Sequence, residues 1–300
     1  MHVEDCIRRA TGAKVVRRTA RVQSLWSGYG EVARYALDGA GTVVVKHVRP
    51  PAGEGLSHER KLRSYDVEMA WYSTRAASCP VRVPTCLAVE REQQEWLFVM
   101  EDLDAVGFAG RTRSPSAEQL EHCVRWLASF HAHHLGDDAS GLWRRGTYWH
   151  LATRPDELAA MPDGALKRAA HAIDAHLATA RFRTLVHGDA KPANFCFSQT
   201  GVAAVDFQYV GGGCGVQDLA YLCAGVPEPL WHTLVDLYFD VLKPIVESMG
   251  LPADELEAEW RAVYPWAWAD FERFVHGWSR GWPVSPHERR MSERVCRDLP

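Results

Sequence analysis

Two hydrophobic periods alternate along this chain, and the switches between them mark its elements. Val43-Val44-Val45-Lys46-His47-Val48 is a β-branched run and Trp96-Leu97-Phe98-Val99-Met100 an apolar one, and both predict strands. Two further strands are expected at 21–26 and 32–37, joined by a hairpin through Gly28 and Gly30. Thr184-Leu185-Val186 and Val202-Ala203-Ala204-Val205 predict shorter buried strands, each ending in polar residues. A helical period governs Ser57 to Ala77, where Leu62, Tyr65, Met69, Tyr72 and Ala76 share a face. It returns from Ser116 to His134 through Leu120, Cys123, Val124, Leu127 and Phe130, with Ser116 and Gln119 as a capping box. Near the C-terminus Trp260, Val263, Ala267, Phe271, Phe274 and Trp278 repeat at helical spacing.

The polar residues after the two short strands carry the candidate chemistry. The first run continues His187-Gly188-Asp189-Ala190-Lys191-Pro192-Ala193-Asn194, and the second Asp206-Phe207-Gln208. One carboxylate, Asp189, can orient and deprotonate a hydroxyl. The amide oxygen of Asn194 and the carboxylate of Asp206 can hold magnesium, which prefers oxygen ligands and needs few from the protein. Negative charge spreads over a phosphoryl group in flight, so metal and cation beside it lower the barrier. Lys191 is placed to neutralise that group. Gly188 and Pro192 sharpen and stiffen the loop. The residues therefore predict phosphoryl transfer from ATP, with Mg2+, to a hydroxyl.

This motif pair resembles the aminoglycoside phosphotransferase and choline kinase branch of the protein-kinase-like fold, over nearly the whole chain. Within that branch the chain most resembles the ecdysteroid-kinase-like small-molecule kinases. The resemblance implies an α+β, two-lobed fold. Residues 1–103 would form a nucleotide-binding lobe with a small antiparallel sheet and one main helix. Residues 104–300 would form a larger, mostly helical lobe for catalysis and substrate binding. Lys46 resembles the strand lysine that pairs with the α- and β-phosphates, and a buried ammonium needs a partner. Glu68, shortly before Trp71-Tyr72, fits that partner, with Glu59 as the competitor nearer the helix start. Gly28 and Gly30 stand where a loop would cover the phosphates. Backbone groups near Met100, Glu101 and Leu103 would bond the adenine. Asp218 resembles an acidic residue that caps a helix and braces the catalytic loop. Departures from protein kinases are informative: Gly188 replaces an arginine, Gln208 replaces a glycine, and no Ala-Pro-Glu follows Asp206. Little room is left for a peptide platform, so a small-molecule acceptor is expected.

Composition narrows the classes further. At 47% hydrophobic and 24% charged, 300 residues suffice for two packed lobes. A net charge of −4 argues against a general nucleic-acid binder. No apolar stretch spans a membrane and no apolar signal region is seen, so a cytoplasmic enzyme is expected, with no membrane or protein partner implied. Eight scattered cysteines without a CxxC pair read as free thiols, with Cys196 and Cys214 near the site and open to alkylation. His131 extends a buried helix face while His133 turns away, which favours packing over a metal site. Six of the 12 tryptophans follow residue 230. Most should pack helices, and some could line an acceptor pocket for a flat apolar molecule or a cation. Residues 251–300 carry nine acidic and seven basic side chains, too balanced for a polycation pocket. A steroid-like or other apolar alcohol is the favoured acceptor. An aminoglycoside or a choline-like amino alcohol is the alternative, and a catalytically silent nucleotide-binding module is the reading from another class.

Overall fold

The computed structural model describes residues 1–39, 41–279 and 281–299. The chain divides into two compact units, 1–111 with 196–208, and 112–195 with 209–300.

The first unit opens with α1 (Val3–Thr11), β1 (Val16–Ser24), β2 (Gly30–Leu37) and β3 (Thr42–Val48). Then follow α2 (Leu56–Thr74), β4 (Cys86–Glu92) and β5 (Glu95–Glu101). The five strands form one antiparallel sheet in the order β1-β2-β3-β5-β4. Successive side chains in a strand point to opposite faces. Val43 and Val45 of β3, with Leu97 and Val99 of β5, pack with Cys6 and Ile7 of α1. On the alternate positions Trp96 and Phe98 meet Tyr65 and Tyr72 of α2. Lys46 shares that second set, paired in register with Phe98, so the ladder aims an ammonium at α2.

Two boundaries differ from the sequence expectation. β1 begins at Val16 rather than residue 21, because it is an edge strand in which only Val16 is buried. With both faces wet there is no apolar period to read. The main helix ends at Thr74, and Ala76–Ser78 tightens into a separate 3-10 turn.

The second unit begins with α3 (Ala117–His133), α4 (Pro155–Ala160), α5 (Ala165–Ala178) and β6 (Thr184–Val186). Two short paired strands follow, β7 (Phe195–Phe197) and β8 (Val202–Ala204), of which 196–208 belong to the first unit. The second unit resumes with β9 (Gly211–Gly213), α6 (Val216–Leu222), α7 (Glu228–Ser248), α8 (Ala253–Trp278) and α9 (Pro286–Asp298). The expected capping box starts α3: Gln119 N donates to Ser116 Oγ at 3.2 Å, and Ser116 N to Gln119 Oε1 at 2.9 Å. α8 is the central packing element, touching α4, α5, α6, α7 and α9. Of its expected apolar stripe all positions are buried except Trp278, which is 54% exposed. β6 pairs antiparallel with β9 and ends where the catalytic-loop motif begins. Among the described residues no helix is long and apolar enough to cross a membrane.

Candidate active site

In the first unit the site is organised around Lys46. Its Nζ donates to both oxygens of Glu68, at 2.7 and 2.9 Å, and to Asp206 Oδ1 at 3.1 Å. Glu59, the competing helix carboxylate, is exposed. Lys46 and Glu68 are both buried. Burial works against the ammonium, but Asp206 and Glu68 outweigh it and hold Lys46 above its ordinary value. Burial pushes the Glu68 carboxyl up to about 7, with Lys46 pulling it back. Asp206 sits at φ 69°, the left-handed region that Asp tolerates better than most residues. α2 fixes the residues after it. Trp71 stacks on Phe207 at 4.5 Å, Tyr72 meets the same ring edge-on, and Ser64 Oγ donates to Gln208 Oε1 at 3.2 Å.

The segment expected to meet the adenine is partly committed. The Glu101 amide donates to Thr85 O at 2.9 Å, and Leu103 O accepts from Phe108 N at 2.9 Å. Met100 lies in β5, opposite Val44 and Cys86. Asp102 between them is buried against Arg34 and Thr42, whose hydroxyl donates at 2.8 Å. Burial opposes this, yet the Arg34 guanidinium and Thr42 hold its carboxyl below the usual range. The Arg34–Asp102 pair had no signal in the sequence, since the partners are far apart in the chain.

Gly28 ends a 3-10 turn at φ 75° with open space around its Cα, whereas Gly30 starts β2. A Cβ at Gly30 would lie 2.0 Å from His47 O, so close strand approach alone requires glycine there. Cys196, expected to be open to alkylation, is buried beside Leu103 and Ala203, and burial pushes its thiol up to about 11. Cys214 is likewise buried and held above the usual thiol range. Apolar packing around both sulfurs leaves little thiolate to react.

In the second unit Asp189 is held from several sides. Lys191 Nζ donates to Oδ2 at 2.7 Å and Asn194 Nδ2 to the same oxygen at 2.9 Å. Asn194 Nδ2 also donates to Asp189 O at 2.8 Å, which turns the amide oxygen of Asn194 the other way. Tyr221 of α6, which sequence reasoning missed, lies near enough to Asp189 to feel its charge. Burial and then the Asp189 charge keep its phenol protonated well above the usual range.

Asp218 does not cap α6, whose N-terminus has no side-chain cap. Instead its carboxylate, fully buried, accepts from the amides of His187 and Gly188, the latter at 2.9 Å, and from His131 Nε2 at 3.1 Å. His131 Nδ1 in turn meets Tyr238 Oη of α7 at 2.8 Å. So the expected brace is present and the cap is not: Asp218 lies within the first turn of α6, where two loop amides need an acceptor more than the helix end does. Gly188 lies at φ 80°, and a Cβ there would meet Tyr209 O at 2.2 Å. His131 is buried as expected, and His133 is exposed, bonding Ser129 O at 2.8 Å.

The profile of the phosphotransferase enzyme family matches residues 21–266. No curated protein sequence matches the chain. Among solved structures, an amicoumacin kinase in complex with AMP-PNP, Ca2+ and Ami superposes with a TM-score of 0.58 at 14% identity, covering 99% of this chain and 93% of that one. A choline kinase from Cryptosporidium parvum Iowa II gives 0.56 at 10% identity, covering 94% and 88%. A macrolide 2'-phosphotransferase from Brachybacterium faecium gives 0.55 at 17% identity, covering 99% and 98%. At these identities the likeness is one of fold: a five-stranded antiparallel N-terminal lobe and a helical C-terminal lobe.

Proposed function

The chain belongs to the phosphotransferase enzyme family and is a small-molecule kinase; from that premise we propose that it moves the γ-phosphoryl group of MgATP to a hydroxyl of an apolar, steroid-like alcohol. The observation that carries the reading is the buried Lys46 ammonium held between Glu68 and Asp206. A lysine so fixed is preorganised for phosphate oxygens and loses little freedom on meeting them.

In the proposed reaction Asp189 accepts the proton of the attacking hydroxyl, with Asn194 holding its carboxylate in place. Lys191 balances charge on the transferred group. Lys46 holds the nucleotide phosphates and Glu68 holds Lys46. Gly28 and Gly30 shape the loop over the phosphates, and the backbone at Met100, Glu101 and Leu103 reads the base. Asn194 and Asp206 would hold the metal. The donor set fits a hard cation, because both offer oxygen and the Asn194 amide nitrogen is already engaged by Asp189. Among the described residues no cluster of three or more His, Cys, Asp or Glu forms a metal site of its own, so nucleotide oxygens would complete the shell. When bound, magnesium supplies charge neutralisation at the phosphates.

An apolar acceptor is favoured by the aromatic residues of the second unit and by the balanced charge of 251–300. The narrower likeness to ecdysteroid-kinase-like enzymes and a cytoplasmic location belong to the same proposal. The test is a mass-spectrometric screen of steroids, terpenoid alcohols, amino alcohols and aminoglycosides with MgATP, using Asp189→Asn as control. A phosphorylated apolar alcohol absent from the control is expected. Product only with aminoglycosides or choline would replace the acceptor class. Absence of MgATP binding would overturn the kinase reading.

A further inference from the structure

Arg154 is 1% exposed, and its guanidinium lies 3.9 Å from the Tyr148 ring centroid, 5.4 Å from Phe274 and 5.6 Å from Trp278. Its Nε donates to Tyr148 O at 2.8 Å and Nη1 to Glu157 Oε1 at 3.0 Å. Nη2 is buried with no hydrogen-bond partner among the described residues. Ring faces therefore compensate much of the desolvation of this cation. The three rings form one cluster, Tyr148 edge-on to Phe274 and Trp278, and Phe274 stacked on Trp278 at 5.7 Å. Trp278 is 54% exposed, so the cluster reaches solvent. It also reaches the catalytic loop, because Tyr148 N donates to Gly188 O at 2.6 Å, one residue before Asp189.

We propose that Tyr148 and Trp278, backed by the buried Phe274, form the shelf on which the acceptor lies, and that Arg154 beneath it selects a flat alcohol without positive charge. The inference rests on the kinase reading, since it makes this shelf the acceptor side of that reaction. A cation-π site for an ammonium needs unclaimed ring faces and a carboxylate to balance it. Here a guanidinium already claims the rings. Two carboxylates near the rings are also claimed: Glu157 pairs with Arg154, and Asp270 with Arg273 at 2.8 Å. A second cation on the cluster would face the first across a medium of low dielectric. A neutral polycyclic alcohol meets no such penalty and buries the exposed indole.

Equilibrium dialysis with labelled estradiol and labelled choline tests this, with phosphoryl transfer followed in parallel. Estradiol should bind at least about tenfold more tightly than choline, and Trp278→Ala, at an exposed position, should weaken estradiol by roughly three- to tenfold. Arg154→Gln should narrow the gap between the two probes by about tenfold. If that variant does not fold, the Trp278→Ala ratio decides. Choline binding more tightly than estradiol, or estradiol indifferent to Trp278→Ala, would overturn the shelf. Transfer to some alcohol with no estradiol retained would overturn the shelf and leave the kinase reading standing. Estradiol retained with no transfer to any alcohol would support the shelf and remove the kinase reading.

Discussion

Lys46 holds two carboxylates on one ammonium, and neither is a neighbour in sequence. Removing one partner of a buried charged pair costs more than the pair contributes, because the remaining charge is left desolvated. Glu68→Gln keeps the shape and one acceptor but removes a charge, and Lys46 then leans on Asp206 alone. The expected result is a rise in KM for MgATP and a fall in kcat/KM of roughly 10- to 100-fold. Steady-state kinetics with varied ATP would show it, and an unchanged KM would detach Glu68 from the nucleotide side. Glu68 was legible as a candidate because it precedes Trp71-Tyr72 on a periodic helix. The same position already favoured it over Glu59, and the ladder that aims Lys46 at the middle of α2 supplies the physical reason. Tyr221 was not legible at all: a tyrosine in a short helix carries no sign that it will meet Asp189.

At the scale of elements, charged and polar bridges fix helices to the segments that carry the site. α5 presents Asp174, which pairs with Arg145 and sits 3.5 Å from His150 Nε2. Burial works against the carboxylate, but the neighbouring His150 and the Arg145 guanidinium prevail and hold it down to about 2. The folded-state value lies below the ordinary Asp value of 3.8, so folding favours the ionised form. The stabilisation is present above about pH 4 and is lost as pH falls toward about 2, a contribution of about 1–2 kcal/mol. Urea unfolding should show Asp174→Asn less stable than wild type at pH 6, with the gap closing at pH about 2. A gap that persists at low pH would assign the loss to packing. Asp218 works at the same scale, joining α3 and α6 to the catalytic loop through His131 and two amides. Helical periodicity predicted that His131 would be buried. Its partners, Asp218 and Tyr238, belong to helices whose relative placement no local pattern encodes.

For the whole molecule, a ligand that binds only the folded chain stabilises it by mass action. At MgATP about 100-fold above its Kd the gain is about 2.7 kcal/mol. For a chain of this size that raises the thermal midpoint by roughly 4–5 °C. Scanning calorimetry should show this rise, and EDTA should remove most of it. Asp206→Ala should show no magnesium-dependent rise. A full shift retained in EDTA would separate nucleotide binding from the metal.

The sequence by itself determined the parts that are local. β3 and β5 announce themselves by apolar runs, and α2 and α3 by a helical stripe, because an element's own burial is written in its own period. Asp189 and Asn194 were legible as loop residues with candidate chemistry, whereas the bond between them is seen only in the fold. Tertiary structure alone decided the pairings between distant elements. Lys46 meets Asp206 across 160 positions, Asp218 turns from a cap into an acceptor for two loop amides, and Arg154 finds three rings from two segments. The start of β1 also waited for the structure, since an edge strand held by backbone hydrogen bonds needs no hydrophobic period. Local patterns record how each element meets the core. Which side chains then face each other is set by the packing of many elements at once.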